Sequence, residues 1–284
     1  MKNKKLALLL AGVLTVGCLA TGCGNSGEDK EASSSGSSEK TTISVSGSTS
    51  VGPSMEKIAE RFEKSNEGVS VEVQQIGSSA GIKNAIDGVS EIGMASRDLK
   101  EEEKSSGLQE TKIAIDGIAV ITNKNNPVKN LTTEQVKDIY TGKITNWKDV
   151  GGNDAPIVVV SREEGSGTRD GFQEIIGFES TELLKDAQVS DGSGNIKSTV
   201  EGNENSIGYI SFGYVDDAIN ALKVNDVDPT ADNVKNSSYP ISRPFLLVDK
   251  QDGLSENGKK LIDFVLSAEG QQIMEDEGFI KISK

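Results

Sequence analysis

The sequence has no histidine among its 284 residues, and its two cysteines both lie within the first 23. Without histidine, a Ser-His-Asp triad, histidine acid–base chemistry and histidine metal ligation are all excluded. A Gly-x-x-x-x-Gly-Lys-[Ser/Thr] phosphate loop is also absent. The net charge is −14, whereas nucleic-acid-binding proteins present basic patches. These absences count against a phosphoester hydrolase and against a nucleic-acid partner.

The clearest pattern that is present covers residues 158–172, V-V-V-S-R-E-E-G-S-G-T-R-D-G-F. The β-branched run Val158–Val160 predicts a buried strand, and the glycines after it permit a tight turn into a helix. The first amides of a helix have no internal partner and lie at the positive end of its dipole. With the hydroxyls of the turn and the guanidinium of Arg162, they suit a tetrahedral oxyanion. For this stretch alone, an ordinary capped turn is the alternative.

Two further stretches repeat the arrangement of strand, Gly/Ser/Thr-rich turn and helix. The turn Gly47–Pro53 follows the alternating residues 42–46, and the turn Gly77–Gly81 follows the alternating residues 69–76. In α/β sheets such turns lie at the carboxyl ends of strands, where ligands bind. Three unrelated capped turns are the alternative, but three hydroxyl-rich helix starts together favour one shared anion site.

Taken in order, the motifs resemble those of PstS-type phosphate-binding proteins, the extracytoplasmic receptors of phosphate ABC importers. The resemblance extends from about residue 40 to residue 284. It rests on these motifs: G-S-T-S (47–50), I-G-S-S-A-G (76–81), G-M-A-S-R (93–97), I-Y-T-G-K-I-T-N-W (139–147), S-R-E-E-G-S-G-T-R (161–169) and N-S-I-G-Y (205–209).

The resemblance implies an α/β, two-lobed periplasmic-binding-protein-like fold with a hinge and a ligand cleft between the lobes. We expect lobe I to comprise residues 41–122 plus 240–284, and lobe II to comprise residues 123–239. The chain would cross between the lobes near residues 122–126 and return near residues 239–248.

Local patterns add expectations outside the motifs. Thr132 and Gln135 form a capping-box pattern that predicts a helix through Tyr140. Residues 257–274 carry an amphipathic pattern that predicts helix. Residues 183–208 are only weakly patterned.

The resemblance also implies which residues contact phosphate, with backbone amides of Ser50, Gly167 and Thr168 contributing as much as hydroxyls. Glu164 resembles the acidic partner of the site arginine, with a solvent-exposed loop acid as the alternative. The expected contacts are Thr49, Ser50, Ser78 and Ser96 from lobe I, and Arg162, Ser166, Gly167 and Thr168 from lobe II.

One departure from the family concerns the proton that phosphate carries and sulfate lacks. An acceptor for that proton lets a site reject sulfate. The family members we compare have an aspartate where this chain has Ser96. We expect Asp116 to take the role, with Asp98 as the alternative. Arg97 and Arg169 would add a ligand contact or brace these acids.

The amino end is expected to be a targeting segment. Lysines precede the apolar residues 6–16, which are too few to span a membrane. L-A-T-G-C (19–23) resembles a bacterial lipoprotein signal, so residues 1–22 would be a signal peptide and Cys23 the lipidated (palmitate-bearing) residue, with Cys18 as the rival. A plain secretory signal is a further alternative. Residues 23–40, rich in Ser and Gly, would be a flexible tether.

These observations predict a lipid-anchored receptor on the extracytoplasmic face of the bacterial cell membrane, which binds inorganic phosphate and delivers it to ABC importer permease subunits. It would use no cofactor or metal and would not be an enzyme. The alternatives are a receptor for sulfate, molybdate or tungstate, a phosphoester hydrolase, and an adhesive surface lipoprotein.

Overall fold

The computed structural model describes residues 41–282 of the protein. The predicted signal peptide (1–22), Cys23 and the tether (23–40) lie outside the described residues. From the start, strands alternate with helices up to one long strand. The elements are β1 (Thr41–Gly47), α1 (Gly52–Ser65), β2 (Val69–Gln75), α2 (Ser78–Asp87), β3 (Ile92–Ala95), the short α3 (Glu101–Lys104) and β4 (Leu108–Asn123).

The chain after β4 carries shorter strands, helices and three 3₁₀ turns, at Trp147–Val150, Ser180–Glu182 and Phe212–Tyr214. The remaining elements are β5 (Asn130–Leu131), α4 (Thr133–Tyr140), β6 (Val158–Arg162), α5 (Gly167–Ile176), β7 (Gln188–Ser190), α6 (Gly192–Glu201), β8 (Ser206–Ser211), β9 (Ile219–Ala221), β10 (Lys223–Val224), α7 (Ala231–Lys235), β11 (Ser242–Lys250), α8 (Glu256–Val265), α9 (Ala268–Asp276) and β12 (Ile280–Lys281).

Strands of one sheet run in the order β2-β1-β3-β11-β4-β8-β6-β7, and β9 and β12 also pair with β4. β1 is parallel to β2 and β3, and β6 is parallel to β7 and β8. The carboxyl ends of each parallel set therefore meet at one edge. β4 pairs antiparallel with β11 through residues 108–117 and with β8 through residues 118–122, so it joins the two sets.

Two large apolar cores lie on the two halves of this sheet. The first core draws on residues 43–114 and 245–279, with Met55, Phe62 and Phe245 among its members. The second core draws mainly on residues 118–241, with Tyr140 and Phe172 among its members. The α/β class expected from the alternating pattern is confirmed.

Several local predictions can be compared with the elements. The capping box is present, with Thr132 Oγ1 accepting from the Gln135 amide, and α4 ends at Tyr140 as expected. The helix expected over residues 257–274 is present as two helices, α8 and α9; α8 ends at Val265, and Ser267 caps α9 by accepting from the Gly270 amide. The weakly patterned residues 183–208 contain β7, α6 and the start of β8.

Candidate anion-binding site

Hydroxyl groups from distant parts of the sequence converge where helices begin. Ser50 Oγ, just before α1, lies 2.9 Å from Thr168 Oγ1 in the first turn of α5. The same Ser50 Oγ lies 3.2 Å from the Oγ of Ser193, which opens α6. Ser50, Thr168 and Ser193 are each only 1% exposed. Elements of the first and second cores therefore share one buried polar cluster.

A second pair of hydroxyls lies against the start of α5. Ser78 Oγ, at the start of α2, is 3.2 Å from Ser96 Oγ, which follows β3. A Cβ added to Gly167 would lie 2.4 Å from Ser78 Oγ and 2.7 Å from Ser96 Oγ. Only glycine fits such a close approach without displacing a neighbour.

The helix α5 presents its amino terminus to this cluster. Ser166 is its N-cap and accepts from the Arg169 amide at 3.3 Å. The unpaired amides and the dipole of this helix give the site a local positive potential although the chain is acidic. The sequence predicted three such helix starts here; the start of α6, with Ser193, is a fourth.

Arg162 supplies a permanent cation to the cluster and is 1% exposed. Its Nη1 donates to Thr168 Oγ1 at 3.3 Å and to Ser193 Oγ at 3.2 Å, and its Nη2 donates to Thr49 Oγ1 at 3.0 Å. The hydroxyl of Tyr209 accepts from the backbone amide of Arg162 at 3.1 Å, which fixes the end of β6. The guanidinium therefore contacts hydroxyls from both sides of the cluster.

The acidic partner of Arg162 is Glu163, so the expectation that Glu164 fills this role is wrong. Glu163 accepts from Nε and Nη2 of Arg162 at 2.7 Å each, whereas Glu164 is exposed. β6 ends at Arg162 and Gly165 turns the chain at φ +83°, so the side-chain alternation of a strand does not continue to Glu164. Burial acts to raise the pKa of Glu163, but its hydrogen bonds and ion pair with Arg162 outweigh burial and lower that pKa.

Asp116 and Arg243 form a buried ion pair beside the cluster. They face each other in the register of β4 and β11, the strands between the two cores. Asp116 Oδ2 accepts from Nε and Nη2 of Arg243 at 3.1 and 2.8 Å, while Oδ1 accepts from Ser211 Oγ at 3.0 Å and from the Phe212 amide at 3.2 Å. Burial raises the pKa of Asp116, and the charge of Arg243 opposes that shift.

Sequence reasoning missed three residues of this site. Arg243 was visible only as part of the expected return crossing. Ser193 stands in D-G-S-G, a turn with the same composition as the predicted three, but the β-branched run that marks a strand is missing before it. Tyr214, whose hydroxyl donates to the Thr49 carbonyl at 2.8 Å, carried no signal.

The chain matches known proteins over most of its length. Residues 32–269 match the family model described as PBP superfamily domain. The chain is 32% identical over 297 aligned residues to the phosphate-binding protein PstS of Bacillus subtilis (strain 168), which covers 100% of this chain and 96% of that one. It is 32% identical over 250 residues to the phosphate-binding protein PstS of Borreliella burgdorferi, covering 84% of this chain and 90% of that one.

Solved structures agree with these relatives. A crystal structure with bound phosphate, of a protein from Clostridium perfringens described as a phosphate ABC transporter substrate-binding protein, is 66% identical, with a TM-score of 0.85, and covers 86% of this chain and 100% of that one. An ABC-type phosphate transport receptor from Vibrio cholerae is 39% identical, with a TM-score of 0.73, and covers 85% of this chain and 100% of that one.

These relatives confirm the predicted two-lobed, periplasmic-binding-protein-like fold. Three observations support membership of one family: the order of the motifs, the buried hydroxyl cluster and the sequence identity over the full chain. The chain belongs to the PBP superfamily and, within it, to the family of PstS phosphate-binding proteins.

Proposed function

We propose that this protein binds inorganic phosphate between its lobes and delivers it to the permease of an ABC importer. The observation that carries the proposal is the buried convergence of Arg162 with hydroxyls and helix starts from both cores. The phosphate-bound structure at 66% identity supports the choice of phosphate among oxyanions.

The hydrogen-bond donors of this cluster suit an anion that loses its hydration water when it binds. Each charge-assisted hydrogen bond contributes roughly 1.5–3 kcal/mol net, and a dissociation constant near 1 μM corresponds to roughly −8 kcal/mol. Several such bonds, less the cost of closure, support micromolar or tighter binding. Exclusion of water by the closed lobes strengthens each bond, because the local dielectric falls.

We assign the anion contacts to the residues that the cluster contains. Both hydroxyl groups and backbone amides donate to the anion. The carboxylate that pairs with Arg162 is that of Glu163 rather than Glu164. The proposed contacts are Thr49, Ser50, Ser78 and Ser96 from lobe I, and Arg162, Ser166, Gly167 and Thr168 from lobe II.

We place lobe I at residues 41–122 plus 240–284 and lobe II at residues 123–239. The two apolar cores support a division into two lobes near these bounds, although Ile118 and Val120 of β4 belong to the second core. β4 and β11 are the strands that run between the two cores. Lobe I is then made from both ends of the globular body, and the two strands form the hinge about which the cleft opens.

The remaining parts of the proposal concern location and chemistry. Residues 1–22 would direct export and Cys23 would carry the lipid, with residues 23–40 as a tether to the membrane. Within residues 41–282, no helix is long and apolar enough to cross a membrane. The relatives are phosphate-binding transport receptors, and we expect no turnover of a phosphoester by this chain.

The test is calorimetric titration of the protein expressed from its full sequence and stripped of ligand. We expect phosphate to bind with micromolar or tighter affinity and a chromogenic phosphoester to remain uncleaved. Tighter binding of sulfate or molybdate than of phosphate would reassign the receptor to that anion. No heat with any of the three anions would contradict the anion site itself.

The lipid anchor needs a separate measurement. Growth with labelled palmitate should label the wild-type protein, and the Cys23→Ala variant should lose both the label and its retention in the membrane fraction. Labelling that survives in Cys23→Ala and disappears in Cys18→Ala would move the anchor to Cys18.

A further inference from the structure

Arg243 is a second arginine at the proposed anion site, and the motifs gave it no role there. Its Nη2 donates to Ser50 Oγ at 3.1 Å. Ser50 Oγ lies 2.9 Å from Thr168 Oγ1, which in turn accepts from Nη1 of Arg162 at 3.3 Å. One guanidinium therefore stands at each end of a chain of two hydroxyls.

The ion pair with Asp116 fixes which edge of Arg243 faces the hydroxyls. Nε and Nη2 of Arg243 both donate to Asp116 Oδ2, at 3.1 and 2.8 Å. A guanidinium is planar, and its five N–H bonds form a rigid fork. With the Nε/Nη2 edge held by Asp116, the second hydrogen of Nη2 and one hydrogen of Nη1 project from the end of the fork. The Nη2 bond to Ser50 shows that this end faces the hydroxyl cluster.

Nη1 of Arg243 is buried and has no hydrogen-bond partner among residues 41–282, and the residue is only 4% exposed. Leaving a buried donor unsatisfied is costly, so such a group in a native site calls for an explanation. Burial lowers the pKa of Arg243, Asp116 opposes this, and the charge of Arg162 lowers the pKa further. An anion between the two arginines would satisfy the donor and relieve their repulsion.

We propose that Arg243 is a second anion-binding arginine, whose Nη1, the nitrogen without a partner, donates to an oxygen of the bound phosphate. Asp116 is then a positioning residue that holds the fork, and it is not the acceptor of the phosphate proton. Both oxygens of Asp116 already accept two hydrogen bonds each from the protein, which agrees with this role. The inference rests on the proposed function, because it deepens the description of the same site.

The first test is titration of phosphate into the protein expressed from its full sequence. Arg243→Lys keeps the charge and removes the fork, and we expect it to weaken phosphate binding by about ten- to hundredfold. The control is Arg61→Lys, at an exposed arginine paired with Glu269, which should bind as the wild type does. Unchanged affinity in Arg243→Lys would overturn the inference, whereas a wild type that does not bind phosphate would overturn the proposed function.

The neutral double variant Asp116→Asn/Arg243→Gln distinguishes a ligand-binding arginine from an ion pair that only stabilises the fold. If the pair only supports the fold, removing both charges together should restore the melting temperature lost in Arg243→Gln and restore affinity with it. On our proposal the melting temperature recovers and phosphate binding stays weak. Recovery of both would contradict a ligand contact for Arg243.

Asp116→Asn separates positioning from proton acceptance. A positioning residue acts through Arg243, so the substitution should change the affinities for phosphate and sulfate by the same factor. If sulfate gives no detectable binding to the wild type, it should give none to Asp116→Asn. Loss of discrimination between the two anions would return Asp116 to the role of proton acceptor. A crystal structure with phosphate completes the test, since a nitrogen of Arg243 should lie within about 3.2 Å of a phosphate oxygen; a longer separation would contradict the contact.

Discussion

Nε of Arg97 lies 3.0 Å from Oδ2 of Asp170, and this ion pair joins the two sides of the proposed cleft. Arg97 follows β3 on the first-core side, whereas Asp170 belongs to α5 on the second-core side. The other nitrogens of Arg97 donate to Ser79 Oγ at 3.0 Å and to the Glu103 carboxylate at 2.7 and 2.8 Å. Close by, the Ser79 amide donates to the Gly165 carbonyl at 3.1 Å, again across the cleft. On the proposed hinge motion, we expect these contacts to be present in the closed state and absent in the open one.

We expect Asp170→Asn to weaken phosphate binding by about three- to tenfold, since a partly exposed ion pair contributes about 1 kcal/mol. The loss should appear as faster phosphate release, because the pair forms only in the closed state. Stopped-flow release from the full protein measures it. The control is Asp138→Asn, whose side chain is 24% exposed against 25% for Asp170 and which pairs with Lys143 at 3.0 Å within the second-core side. Equal phosphate release rates in the two variants would mean that the Arg97–Asp170 pair does not stabilise the closed cleft.

Gly167→Ala should abolish tight phosphate binding without unfolding the protein. The added methyl would lie 2.4 Å from Ser78 Oγ across the cleft, so we expect it to oppose closure and to be accommodated when the lobes are apart. We expect affinity to fall by about a hundredfold or more, equivalent to about 2.7 kcal/mol, with the melting temperature unchanged. The control is Gly194→Ala in α6, where an added Cβ meets nothing within 4 Å. Wild-type affinity in Gly167→Ala would show that the approach of α5 to Ser78 is not needed.

The features that could be predicted from sequence were those encoded by neighbouring residues. A β-branched run, a glycine turn and a hydroxyl that caps a helix are adjacent in the chain, so residues 158–172 specify their own strand, turn and helix. Parallel pairing of β1, β2 and β3 brings the first two turns to one edge, and for this reason Ser50 and Ser78 lie on the same side of the site. Thr168 follows β6 in the other parallel set, so strand pairing alone does not explain why it lies beside Ser50.

The parts that escaped prediction depend on three-dimensional pairing. Whether Glu163 or Glu164 meets Arg162 is decided by where β6 ends and how Gly165 turns the chain, and no residue type in this stretch favours one glutamate over the other. Arg243 is 193 residues from Ser50 in sequence, and only the register of β4 with β11 brings it to Asp116 and so to the cluster. No local pattern encodes that register.

The pH dependence of stability distinguishes the two glutamates. The folded-state pKa of Glu163 is lowered below its ordinary value, so its ion pair stabilises the protein above the unfolded pKa, near 4.5, and that contribution is lost as pH falls through the folded pKa. We expect Glu163→Gln to remove part of the acid-induced loss of unfolding free energy, measured by urea titration between about pH 6 and pH 3. Glu164→Gln, at the adjacent exposed position, should keep the wild-type profile. A profile altered by Glu164→Gln instead would contradict the assigned partner.

Two buried tyrosines allow the support of Arg162 to be separated from general stability. The Tyr209 hydroxyl accepts from the Arg162 amide at 3.1 Å and lies 2.9 Å from Ser161 Oγ, whereas the Tyr239 hydroxyl donates to the Ile118 carbonyl at 2.9 Å. Each is 1% exposed, so Tyr→Phe at either position leaves a buried polar group unpaired and should cost about 1–3 kcal/mol of unfolding free energy.

Only Tyr209→Phe should also weaken phosphate binding, because it releases the strand end that carries the guanidinium. We expect a loss of about three- to tenfold, since a displaced donor loses part of a charge-assisted bond and about 1.4 kcal/mol is tenfold. Calorimetric titration beside denaturant unfolding gives both quantities on the same samples. If Tyr239→Phe weakens phosphate binding as much as Tyr209→Phe does, the effect reflects lower overall stability, and the position of Arg162 does not depend on the Tyr209 hydroxyl.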